Sequence, residues 1–159
     1  MKNDTALRRD VRVLLRGGRA HVGYDKAVAD LPEVLRGKKP RGAPYSPWQQ
    51  VEHIRLTQWD ILEYIRNPKY KALKWPDEYW PKGAAPPNAG AWEKSLKAYR
   101  ADLRALESIV ADISIDLLAP LPHDPEATTL HEVLLVADHT AYHLGQLIVL
   151  RRLIGGWED

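Results

Sequence analysis

The chain has 159 residues with 45% hydrophobic and 28% charged residues, a composition that predicts one globular domain over residues 1–159. It contains no cysteine, which excludes disulfides, thiolate metal ligands and a cysteine nucleophile. The formal net charge of +2 comes from interspersed charges, so we expect no nucleic-acid binding.

The first predicted helix covers about residues 5–16, and its apolar face consists of Leu7, Val11, Leu14 and Leu15. The glycine pair at positions 17 and 18 interrupts this helix. A second helical piece is predicted over residues 22–30, before Pro32. Residues 36–47 are rich in glycine, proline, lysine and arginine, which predicts a crossover on the surface.

The next helix has a clear predicted start at Ser46. Serine at the N-cap, Pro47 at the first helical position and Gln49 at the third form a capping box. Asn67 and Pro68 end the helix. Between these limits the residues at helical spacing are Val51, Ile54, Gln58, Ile61, Leu62 and Ile65.

Residues 67–90 are predicted to form a long connection with five prolines. Connections longer than roughly 15 residues are uncommon in compact domains and are usually functional or disordered. Trp75, Tyr79 and Trp80 argue against plain disorder, because large aromatic rings tend to pack onto something. The loop is expected to roof a site, to cap the hydrophobic core or to contact a second copy of the chain.

The third long helix is predicted over residues 89–113 with Asn88 as its N-cap. A proline-rich connection follows over residues 114–128, and Thr129 to Glu132 read as a second capping box. The last helix ends near Ile154, before two glycines. Strand signals are weak, so the predicted fold is all-α, a four-helix bundle with long connecting loops.

Two of the six histidines, His139 and His143, are spaced to share one helix face. Imidazoles four residues apart can bind one metal ion, although this spacing alone is a weak signal. The surrounding helix is apolar on most sides, and buried imidazoles need polar partners. Thr140 stands where a zinc protease of the His-Glu-x-x-His type has its glutamate, which excludes that class.

His53 is the predicted third ligand, because it lies mid-helix in another long helix. Three imidazoles leave a fourth position open, as in catalytic zinc sites. His21 and His123 fall in predicted loops, and His131 at a helix start is expected to be exposed. His123 alone among these is placed where it could reach the mouth of the bundle.

These residues resemble the DinB superfamily, which includes YfiT-like metal-dependent hydrolases. The resemblance covers essentially the whole chain and is carried by the stretches WQQVEHIR (48–55) and DHTAYHLGQ (138–146). It implies a four-helix bundle in which His53, His139 and His143 bind a divalent metal, with zinc or nickel favoured. It also implies a homodimer, but it fixes no reaction, because some relatives are S-transferases or isomerases that use low-molecular-weight thiols.

The resulting hypothesis is a metal-dependent enzyme, either a thiol-dependent S-transferase or a hydrolase, acting on a small-molecule substrate. The alternative is a non-catalytic metal-binding or interaction protein, in which a side chain such as Asp60 or Glu52 closes a structural site. No catalytic residue is assigned. The residues predicted to orient the histidines, or else to serve only packing, are Gln50, Thr57, Asp60, Tyr142 and Gln146.

The start of the chain is charged and lacks the apolar stretch of a signal peptide. We expect no apolar run to approach the roughly 18 residues of a membrane span. The sequence therefore predicts a cytoplasmic protein without membrane contact.

Overall fold

The computed structural model describes residues 2–157 and confirms the all-α class. The elements in chain order are α1 (Lys2–Arg16), α2 (Tyr24–Val28), α3 (Glu33–Arg36), α4 (Pro47–Arg66), α5 (Ala91–Ala111), β1 (Pro120–Leu121), β2 (Asp124–Thr128) and α6 (Thr129–Leu153). The two short strands form an antiparallel ribbon inside the predicted connection 114–128. This ribbon was not predicted, because neither strand is long enough to show alternating hydrophobicity.

The four long helices pack in a closed ring, in which α4 contacts α5 and α6, and α1 contacts the same two helices. Two groups of buried side chains fill this ring. The aliphatic core consists of Val11, Leu15, Ile61, Leu62, Leu106, Val110, Leu117, Val133, Val136 and Ala137. The aromatic core consists of Tyr24, Ala27, Val28, Leu31, Trp48, Val51, Ile54, Trp92, Leu96, Tyr99, Leu144 and Leu147.

Helix α4 begins as predicted, because Ser46 and Gln49 form both hydrogen bonds of the capping box. Helix α5 begins two residues later than predicted, after Gly90 rather than Asn88. The Asn88 side chain instead accepts a hydrogen bond from the backbone N–H of Gly90, which forms a turn before the helix.

The predicted capping box at Thr129 is wrong by one residue. Thr128 is the N-cap of α6, and its hydroxyl accepts a hydrogen bond from the backbone N–H of His131. Thr128 is the last residue of β2 and keeps an extended backbone, with φ −126° and ψ 154°. The strand therefore brings Thr128, and not Thr129, to the non-helical position that an N-cap requires.

The prediction that Leu14 lies on the buried face of α1 is wrong, because this residue is 53% exposed.

The buried side chain of Arg8 links α1 to the end of α5. It donates hydrogen bonds to the carbonyl oxygens of Val110, Asp112 and Ile115. The last carbonyls of a helix have no partner within the helix, so Arg8 satisfies the C-terminal end of α5 and ties it to α1.

Helix α6 is long and apolar enough to cross a membrane by length and composition, contrary to the expectation that no segment would be. It is the only helix of this kind among residues 2–157. It packs against α1, α2 and α4, and its Val133 and Leu147 are fully buried, one in each core. The central helix of a globular bundle has the same apolar composition.

Candidate metal centre

The three predicted histidines lie together where α4 packs against α6, between the two cores. Their ligand atoms all lie within 4.8 Å of one another. The Nε2 atoms of His53 and His139 are 3.0 Å apart. His53 and His143 are buried, and His139 is half-buried. Helix α6 supplies two rings from adjacent turns, and α4 supplies the third ring from the facing helix.

The outer nitrogens of two histidines are held by hydrogen bonds. Nδ1 of His53 lies 2.9 Å from the carbonyl oxygen of Tyr79, and Nδ1 of His143 lies 2.8 Å from Oε1 of Gln50. A carbonyl oxygen can only accept, so each Nδ1 carries the proton and each Nε2 keeps its lone pair. Gln50 is oriented in turn, because its Nε2 donates to Oε1 of Gln146 at 2.8 Å.

Burial keeps all three rings neutral near neutral pH. Desolvation lowers the pKa of His53, and the hydrogen bond to Tyr79 opposes this shift only in part. Desolvation and the neighbouring histidines lower the pKa of His139 to about 3. Desolvation together with the charge of His53 lowers the pKa of His143 to about 4. Neutral imidazole is the form that binds a metal ion.

An aromatic stack packs against the face of the His53 ring. The Trp80 ring stacks on His53 with centroids 3.7 Å apart, and Tyr45 stacks on the other face of Trp80 at 3.6 Å. Trp75 is 67% exposed, and its ring centroid is 6.5 Å from that of His53. The loop 67–90 therefore reaches His53 through two contacts, the stacked ring of Trp80 and the carbonyl oxygen of Tyr79. Tyr45 was missed, and its only sequence signal is its place before the helix cap.

Asp60 fastens this loop to α4 instead of facing the histidines. Its carboxylate accepts hydrogen bonds from the hydroxyls of Tyr70 and Tyr79. Burial, together with the hydrogen bond that each hydroxyl donates to Asp60, raises the pKa of Tyr70 and of Tyr79. The carbonyl oxygen of Tyr79 holds Nδ1 of His53, so Asp60 helps to position the His53 ring indirectly, by holding Tyr79.

Neither proposed closing ligand joins the cluster. Asp60 is engaged by the loop, and Glu52 pairs with Arg55 at 3.0 Å. Among the residues that the structure describes, the group able to hold a metal ion consists of the three histidines alone. The arrangement is therefore open on one side, as three-ligand sites with an exchangeable position are.

The remaining predicted residues have different surroundings. Tyr142 is 66% exposed, and its ring meets the edge of the His143 ring at 4.9 Å. Gln146 contacts Gln50 and so lies one step further from the nitrogens. The buried hydroxyl of Thr57 has no hydrogen-bond partner among residues 2–157.

A cavity of about 630 Å³ opens beside the histidines, between α4, α6 and the loop 67–90. This volume is within the usual range for small-molecule sites. Asp138 is the only acidic side chain among the described residues that line it. The lining residues are Pro44, Tyr45, His53, Thr57, Ile61, Trp75, Pro76, Tyr79, Trp80, Leu135, Asp138, His139, Tyr142, His143 and Gln146.

The other three histidines lie apart from this cluster. His21 and His131 are exposed, and the Nδ1 of His21 contacts the carbonyl oxygen of Val22. His123 packs edge-on against Tyr64, and its two ring nitrogens are buried without hydrogen-bond partners among the described residues. His123 lies in the turn between β1 and β2 and does not join the metal-binding group.

A family model described as the DinB superfamily matches residues 19–147, a range that contains all three clustered histidines and both stretches that carry the resemblance. Comparison with curated proteins and with solved structures gave no match.

Proposed function

The chain belongs to the DinB superfamily, and from this premise we propose that it is a metal-dependent enzyme whose His53, His139 and His143 bind one divalent ion. The observation that carries this proposal is the convergence of three neutral imidazoles, two with their Nδ1 protons already donated elsewhere. The reaction is a thiol-dependent transfer or a hydrolysis.

The donor set supports zinc or nickel. Imidazole nitrogen suits both ions, whereas magnesium and calcium prefer oxygen ligands. The hydrogen bonds from His53 to Tyr79 and from His143 to Gln50 orient the rings, and such partners strengthen metal binding.

A divalent ion held by three neutral ligands keeps its charge and lowers the pKa of a water or thiol beside it. The chain itself supplies no cysteine, so a thiol reactant must be an external low-molecular-weight compound. The Trp80 ring limits water on one side of His53, and Thr57 is among the residues that line the cavity.

The metal proposal is tested by elemental analysis of untagged protein and of two matched variants. His139→Ala removes a ligand, and His131→Ala removes an exposed histidine from the same helix. We expect one ion per chain in the wild type and in His131→Ala, and none in His139→Ala. The same metal content in all three proteins would contradict the site.

The reaction is tested by supplying a low-molecular-weight thiol together with a halogenated aromatic electrophile. A conjugate that forms with wild type and disappears in His139→Ala supports thiol transfer. Hydrolysis of activated esters that is lost in the same variant supports the hydrolase. Absence of both activities, with unfolding on metal removal, would instead favour a structural metal.

A further inference from the structure

A second cavity, which the proposed function does not use, lies directly beside the histidine cavity. It has a volume of about 740 Å³ and is bounded by the crossover before α4 and the C-terminal half of α6. Pro44, Tyr45, Tyr142 and Gln146 line both cavities. The two cavities are therefore neighbouring parts of one groove along α6.

The second cavity has apolar walls and a single charge. Val149 and Leu153 are exposed apolar side chains on its α6 side. Arg41 is the only charged side chain among the described residues that line it. Arg41 forms no salt bridge within residues 2–157, so its guanidinium is available to an anion.

Gly145 keeps the floor of this cavity open. It lies in the interior of α6, where glycine lowers helix stability relative to alanine. A Cβ atom built on Gly145 would meet nothing within 4 Å, so packing inside this chain does not require glycine there. A side chain at this position would instead occupy the groove.

We propose that this second cavity binds the part of the substrate that does not react. The ligand class is an organic acid whose apolar body lies along Val149 and Leu153 and whose anionic group pairs with Arg41. Its other end extends past Tyr142 and Gln146 to the three histidines. The position of the reacting end of the substrate rests on the proposed function. The position of the anionic end rests on the groove alone.

The charge preference is tested by titrating the full-length protein with octanoate and with octylamine, followed by NMR. Arg41→Gln removes the cation, and Lys39→Gln removes an exposed cation of the same crossover that lines neither cavity. We expect octanoate to bind more tightly than octylamine. Arg41→Gln should weaken octanoate binding by about fivefold, the upper range for an exposed ion pair, and Lys39→Gln should leave it unchanged.

The position is tested with Gly145→Leu, which fills the floor, and with Val149→Trp, which fills the cavity from an exposed residue. Circular dichroism shows whether each variant is folded, and either folded variant should lose octanoate binding. His139→Ala should retain octanoate binding, since the anionic end does not use the histidines. This separates the inference from the metal proposal, because metal content is measured independently.

Three results would overturn the inference. Octanoate binding that is lost in His139→Ala but kept in Arg41→Gln would mean that the carboxylate binds at the histidines. An unchanged octanoate affinity in folded Gly145→Leu and Val149→Trp would place the ligand elsewhere. Absence of octanoate binding, with Gly145→Leu converting a dimer to a monomer in sedimentation, would make the groove an interface between two copies.

Discussion

The two cores on either side of the histidines are built from different side chains. The aliphatic core contains only aliphatic residues, whereas the aromatic core includes Tyr24, Trp48, Trp92 and Tyr99. Buried Gln50 and His53 lie on α4 next to residues of the aromatic core. Aliphatic contacts are non-directional, but buried amides and imidazoles need particular partners. The aliphatic core therefore mainly stabilises the bundle, and polar contacts beside the aromatic core set the geometry of the site.

The largest expected effect on stability lies in the aliphatic core. Leu106 is fully buried, so Leu106→Ala should lower the free energy of unfolding by about 2–5 kcal/mol. Urea unfolding measures this change, and Ile113→Ala, at an 87% exposed position just after α5, is the matched control. The folded Leu106→Ala protein should keep its full metal content. A loss of metal there would break the division between the two cores.

Substitution of a polar contact beside the aromatic core should mainly affect metal binding. Gln50→Leu removes the acceptor of His143 Nδ1 and should weaken metal binding by about 10–100-fold. Gln58→Leu is the control, because Gln58 is a buried amide of the same helix that donates to the backbone of Tyr99. Competition with a chromophoric chelator measures both affinities. Equal weakening by the two substitutions would show a general packing effect.

Acid should also distinguish the two regions. The pKa values of His139 and His143 are lowered in the folded protein. Below about pH 6.5 the unfolded chain therefore binds more protons than the folded chain. Their contribution to stability is present above that pH and is lost as pH falls towards about 3–4. Thermal unfolding of chelator-treated protein should therefore show a steeper loss for the wild type than for His139→Gln. Parallel pH profiles would contradict the burial of His139 as a neutral ring.

The smallest expected effect concerns the start of α6 beside the aliphatic core. Thr128→Ala removes the N-cap oxygen and should cost about 1 kcal/mol of unfolding free energy, whereas Thr128→Ser keeps that oxygen. Chemical unfolding of both variants tests the difference. Equal stability of Thr128→Ala and Thr128→Ser would indicate that Thr129, and not Thr128, caps the helix.

Helix periodicity and capping predicted the long helices and placed His139 and His143 on one helix face. His53 was a candidate because of its mid-helix position, and the family resemblance joined it to the other two. Periodicity and capping are local signals, which cannot by themselves select a ligand from another helix. Adjacent threonines at positions 128 and 129 could each cap α6, and the short strand β2 decided between them. Local rules do not contain that tertiary information.

The surroundings of the histidines were harder to predict because they depend on the path of loops. Periodicity places Asp60 on the same face of α4 as His53, but the tyrosines of the loop attract its carboxylate. The stack of Tyr45 on Trp80 joins two connections that are 35 positions apart in sequence. No spacing rule links such residues, and so Tyr45 went unnoticed.

The stack of Trp80 on His53 also gives the protein an intrinsic optical reporter. A proton or cation arriving at the imidazole changes the charge on a ring whose centroid is 3.7 Å from that of the indole. Indole emission is sensitive to such a nearby charge, so occupancy of the histidines can be followed without a label. The wild type compared with a Trp80→Phe variant would isolate this signal from the emission of the other five tryptophans.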